Sequence, residues 1–167
     1  HLDFEHNLED WRNWAIDNKI HPLVLGFLGV RGELLFDMSS NQRAFPTPRS
    51  WEIMSDQLHI FKNFNQIEEL MMGTIGEAAT IEFMTYCKGS LSEKKILKII
   101  EDPDKAKLPE KLSDIYALIS YLISRNEDTK VRGAGAKLLN RLSPEMAVLL
   151  LRDFQRANPK FAMEPSY

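Results

Sequence analysis

The chain has 167 residues, 44% hydrophobic and 27% charged, a soluble globular composition with room for one domain or two small ones. A formal net charge of −3 argues against a dedicated nucleic-acid binder, and no apolar run nears the ~20 residues that span a bilayer. One cysteine, Cys87, excludes an internal disulfide and a thiolate metal pair, so a reducing, cytoplasmic setting is the expectation.

The chain opens His1-Leu2-Asp3-Phe4, without methionine and without a basic-then-apolar leader, so a piece of a longer protein with no secretory signal is expected. Residues 2–4 are the one strand-like stretch. Asn7 then caps a first helix, with Asp10 at its third position and Trp11, Trp14 and Ala15 as its apolar stripe. His21-Pro22 opens a second, whose Leu23, Leu25, Phe27 and Leu28 are apolar nearly all round, which predicts burial. Residues 31–36 read as a turn or short helix and residues 37–44 as a polar loop.

The segment Phe45-Pro46-Thr47-Pro48-Arg49-Ser50-Trp51 is the most informative in the chain. Thr47 reads as an N-cap, Pro48 as the first helical residue and Arg49 as the second. Phe45 or Pro46 is placed to staple onto Trp51. A cation held beside a positive helix end suits an incoming anion, phosphate above all. The helix continues through Ile53, Met54, Leu58 and Phe61 as its apolar face.

Thr74-x-x-Glu77 predicts a capping box opening a helix with Ala78, Ala79, Phe83, Met84 and Cys87. Ser90-x-x-Glu93 predicts another, opening a short helix over 91–100. Residues 101–110, charged and holding Pro103 and Pro109, mark the boundary between subdomains. Beyond it, Ile115, Leu118, Ile119 and Leu122 form one stripe. Val131, Leu138, Leu139 and Leu142 form a weaker one, interrupted by Gly133 and Gly135. Ser143-Pro144-Glu145 opens a last helix with Met146, Leu149, Leu150 and Phe154 inward, and residues 158–167 are expected to fray. No repeat is visible and the fold class is all-α.

Charge is unevenly placed. Residues 1–87 carry six basic and thirteen acidic side chains, whereas residues 88–167 carry fifteen and eleven.

No catalytic constellation emerges. Gly133-Ala134-Gly135-Ala136-Lys137 lacks the spacing of a phosphate loop, and Leu138 stands where its hydroxyl would be. His1, His6, His21 and His59 show no metal-binding spacing. Cys87 sits on an apolar stripe and reads as a small core residue. Glu68-Glu69 and Glu101-Asp102-Pro103-Asp104 read as solvated, the latter lacking the glycine and final glutamate of a calcium loop. Lys130, Lys137 and Arg141 share a helical face near Arg125 and Arg132, but Glu127 and Asp128 intersperse them, so nucleic-acid binding is not expected.

The combination of segments carries more. Asp10-Trp11-Arg12-Asn13-Trp14-Ala15, Asn18-x-Ile20-His21-Pro22, Phe27-Leu28, Leu34-Leu35, Phe45-Pro46-Thr47-Pro48-Arg49-Ser50-Trp51-Glu52 and Ile75-Gly76-Glu77-Ala78-Ala79 with Phe83 resemble the C-terminal part of MoxR-type AAA+ ATPases. The resemblance covers roughly residues 1–100. It implies that residues 1–6 are the tail of a preceding core strand and that residues 7–100 form the helical lid; from Lys105 onward the chain departs from the family pattern, so the C-terminal helices over 111–157, after the 101–110 linker, inherit no role from it. It also implies that Arg49 is the sensor-2 arginine, approaching the γ-phosphate of ATP. The phosphate loop and magnesium-binding acids belong to the core that precedes this region in that family. ATP and Mg are therefore expected in a full-length parent ATPase, and neither hydrolysis nor tight ATP binding is expected of this chain alone. The implied partners are that core, neighbouring protomers of a ring and a client protein. A different reading, prompted by the basic C-terminal half, is an all-α interaction module docking a partner through its last helices.

Overall fold

Nine α-helices and two short 3₁₀ turns are the regular structure of the described residues (7–39, 43–61, 63–159 and 161) in a computed structural model, with no strand among them. The fold class is all-α. No helix among the described residues is long and apolar enough to cross a membrane. The strand-like stretch at residues 2–4, the expected core tail at 1–6 and residues 40–42 of the polar loop lie outside the described residues. By its internal contacts the chain divides into two units, His1–Gly89 and Ser90–Tyr167.

The first unit is built around α2 (Pro22–Val30). The sequence makes this helix apolar on every side, and Val24, Leu25, Gly26, Phe27 and Leu28 are all buried. Helix α1 (Leu8–Asp17) precedes it, its cap formed as expected by Asn7 accepting from the Glu9 amide. Buried Arg12 of α1 donates to the Leu25 carbonyl at 3.1 Å. A 3₁₀ turn, Gly32–Leu35, and helix α3 (Pro48–Ile60) pack on α2. Phe27, Trp51 and Phe83 meet with ring centroids 5.3–5.7 Å apart. Burying each such ring fully contributes about 1.5–3 kcal/mol, so this cluster is the main anchor of the unit.

Two expectations fail here, and one helix is new. The buried face of α3 is Ser50, Trp51, Met54, Ser55 and Leu58, while Ile53 and Phe61 are each 39% exposed. Trp51 sets that face, because a fully buried indole orients the helix around itself. A helix not foreseen, α4 (Glu68–Ile75), follows, with Glu68 and Glu69 in its first turn where carboxylates suit the helix dipole. Consequently the Thr74 box does not form. Thr74 lies inside α4 and donates to the Leu70 carbonyl, while Gly76, at φ 86°, breaks the chain between α4 and α5 (Glu77–Gly89). Only glycine adopts that backbone cheaply.

In the second unit, α6 (Glu93–Glu101) packs on α8 (Thr129–Leu138), and α7 (Leu112–Ser124) packs on α8 and α9 (Pro144–Ala157). The Ser90 box does not form either: α6 starts only at Glu93, with Ser92 at the cap position. Its stripe of Ile96, Ile99 and Ile100 is buried. The need to cover that stripe puts α6 with the C-terminal unit, so the division falls at 89/90 and not in the charged stretch 101–110. Helix α8 runs unbroken through Gly133 and Gly135. In α9 the inward residues are Leu150, Asp153 and Phe154, whereas Met146 and Leu149 are half-buried. Phe161, in the stretch expected to fray, is buried and stacks on Phe154 at 4.5 Å.

Candidate functional site

Helix α3 begins as the sequence predicts. The Thr47 hydroxyl accepts from the Ser50 amide at 3.0 Å, and the Ser50 hydroxyl accepts from the Thr47 amide at 2.7 Å. This reciprocal pair is the capping box, with serine in the place usually held by glutamate. Upstream, the Asp37 amide donates to the Pro46 carbonyl at 3.1 Å, tying the entering strand of chain to the residues after the 3₁₀ turn. Downstream, the Trp51 indole N–H donates to the Leu34 carbonyl at 2.7 Å. The backbone at Arg49 is therefore fixed from both sides.

The Arg49 side chain is 74% exposed and ion-paired with Glu52 one turn along α3. The helix thus presents a guanidinium to solvent from its second position, with the first-turn amides at the same end. An exposed i, i+3 pair of this kind contributes about 0–1 kcal/mol, so a stronger anion can displace Glu52 at small cost. Arg49 can accordingly hold a planar or tetrahedral oxyanion by two parallel N–H donors.

Other basic residues, and the one cysteine, that the sequence brought into view have structural surroundings. Lys137 pairs with Asp104 at 2.6 Å, and Arg141 donates to the carbonyls of Pro103 and Ala106. Arg132 donates to the carbonyls of Asn126 and Glu127. Arg125 lies over the Tyr121 ring at 5.8 Å. These four cations hold the 102–106 stretch and the α7–α8 turn. Burial pushes the Cys87 thiol up to about 12, so it is no nucleophile at neutral pH.

One pairing has no local signal in the sequence. His21 and His59 lie on different helix ends, 38 positions apart, with ring centroids 5.0 Å apart. The His21 Nδ1 atom accepts from the Leu23 amide at 3.2 Å and so caps α2. The His59 Nε2 atom lies 3.2 Å from the Lys19 carbonyl. Burial, and then the neighbouring His59, lower the His21 pKa to about 4. Among the described residues no three His, Cys, Asp or Glu side chains form a metal-binding group, and the His21–His59 pair has no third ligand.

In comparisons with known proteins, no family model, no curated protein and no solved structure matches the chain.

Proposed function

We propose that this chain is the helical lid and C-terminal helical region of a MoxR-type AAA+ ATPase, with Arg49 as its sensor-2 arginine. In this reading Arg49 meets the γ-phosphate of an ATP molecule held with Mg by an ATPase core outside these residues, its own or a neighbouring protomer's in a ring. Movement of the lid when that phosphate is lost couples hydrolysis to remodelling of a client protein. ATP supplies the charge that changes. The chain supplies a cation on a helix whose start is fixed by Thr47, Ser50 and Trp51.

The observation that carries the reading is the presentation of Arg49: a rigid backbone, an exposed guanidinium and a weak carboxylate partner that phosphate can replace. A core-packing arginine would look different, as Arg12 does at 5% exposure with its donors inside the protein.

The experiment is ATP turnover by the full-length protein that contains this region. Arg49→Ala should depress turnover roughly tenfold or more, as loss of a charge-stabilising group at a transferring phosphoryl commonly does. Thermal unfolding should stay unchanged, since the side chain is exposed. Arg49→Lys should recover turnover only in part, because an ammonium is a point charge. Full turnover and full nucleotide affinity in Arg49→Ala would refute the sensor role.

A further inference from the structure

The second unit contains an open cleft of about 580 Å³ between α6 and the stretch that leads into α7. Lys95 and Lys98 stand one turn apart on the exposed side of α6, and Lys107 and Lys111 line the cleft from the other wall. Between them lie Ile99, which is 4% exposed, and the half-buried Leu108 and Pro109. Two acids are present. Glu110 pairs with Lys107 at 3.6 Å, both side chains being almost fully exposed. Asp114 has its Oδ1 atom buried and without a hydrogen-bond partner.

We propose that this cleft docks an acidic peptide segment of a partner protein, one with an apolar side chain flanked by Asp or Glu. Each part of the cleft selects one feature of that occupant. Four ammonium groups against one weakly paired glutamate and one aspartate leave a cationic rim, which steers and holds carboxylates. The floor of Ile99, Leu108 and Pro109 takes an apolar side chain. Neither a bare phosphate nor nucleic acid satisfies both. No aromatic side chain lines the cleft, so bases have no stacking surface there. The proposal concerns the second unit and does not rest on the role of Arg49.

The test is fluorescence anisotropy of a short dye-labelled peptide, a leucine flanked by glutamates, titrated with the whole chain. Saturable binding is expected. It should weaken by about tenfold or more in the Lys95→Glu/Lys98→Glu variant, as for truncation of close interfacial charges, and remain unchanged in Lys130→Glu, a control outside the cleft. Replacing the peptide glutamates with glutamine, or its leucine with serine, should weaken binding as well. Circular dichroism of each variant establishes that it is folded, and Lys95→Gln/Lys98→Gln substitutes if charge reversal prevents folding. Absence of saturable binding, equal binding by the double variant, or a single-stranded oligonucleotide that displaces the peptide at lower concentration would each overturn the proposal.

Discussion

The ring of Phe154 lies against the backbone of Gly135, its Cε2 atom 2.5 Å from the point a β-carbon would occupy. Phe154 is fully buried and stacked on Phe161, so it has nowhere to retreat. Gly133, on the same helix, meets open space. Gly135→Ala should therefore destabilise the protein, the overpacking cost of about 1–3 kcal/mol exceeding the ~1 kcal/mol gained in helix propensity. Gly133→Ala should stabilise it by about 0.5–1 kcal/mol. Urea denaturation of the two variants checks the opposite signs.

The capping box at Thr47 and Ser50 predicts a separable effect on stability. Thr47→Ala removes the acceptor for the Ser50 amide and should cost about 1 kcal/mol, whereas Thr47→Asp retains an acceptor and should cost little. The cap also places Arg49, so if Arg49 has the proposed sensor role, Thr47→Ala in the parent ATPase of that proposal should weaken nucleotide affinity more than Thr47→Asp does. Equal affinities would mean that Trp51 alone fixes the start of the helix.

Short-range chemistry was readable along the chain, and long-range chemistry was not. The Asn7 and Thr47 caps, the Pro22, Pro48 and Pro144 helix starts and the burial of α2 all depend on residues within four positions of one another. The exposed presentation of Arg49 follows from the same local pattern. Thr74 and Ser90 show the limit of that logic. Each sits in a plausible box, but the apolar residues Met71 and Ile75 extend α4 through Thr74, and the stripe Ile96, Ile99 and Ile100 fixes α6 around its own buried side. The His21–His59 contact and the Lys137–Asp104 pair join residues 38 and 33 positions apart, with no periodicity to announce them. The boundary was displaced for the same reason: a proline-containing charged stretch resembles a free linker until Arg141 is seen to bind its carbonyls.

Arg141 should accordingly control the order of residues 102–106. Its guanidinium donates to two carbonyls, Pro103 and Ala106, from a half-buried position. Arg141→Ala leaves both acceptors without their charged donor and should cost about 1.5–3 kcal/mol. It should also speed amide exchange and proteolysis across this stretch. Arg141→Lys should rescue poorly, since one ammonium cannot span both acceptors. Lys137→Ala removes an exposed pair with Asp104 and should change stability by less than about 1 kcal/mol. If the two variants were equally stable, the carbonyl contacts would carry no special weight.

His21 makes stability depend on pH in a defined window. Its Nδ1 lone pair caps α2 by accepting from the Leu23 amide, so protonation removes the acceptor and places positive charge at a helix N-terminus. Its pKa is lowered from 6.5 to about 4 by burial and secondly by His59. Between those values the unfolded chain binds the proton and the folded chain does not, so stability falls as pH drops through the window. Above it neither state is protonated and the group is silent; below about pH 4 both states are protonated and the loss levels off. Each tenfold drop in proton affinity on folding corresponds to ~1.4 kcal/mol, so the loss across the window approaches about 3 kcal/mol. His21→Asn keeps a side-chain acceptor at the cap but does not titrate, so its stability should lack this part of the slope. Glu33, whose carboxyl is held below its usual range chiefly by its hydrogen bond to Arg31, adds a loss at lower pH common to both proteins. The difference between their urea midpoints at about pH 7.5 and about pH 4.5 therefore isolates His21. Parallel pH profiles would show that the imidazole is not held neutral by the fold.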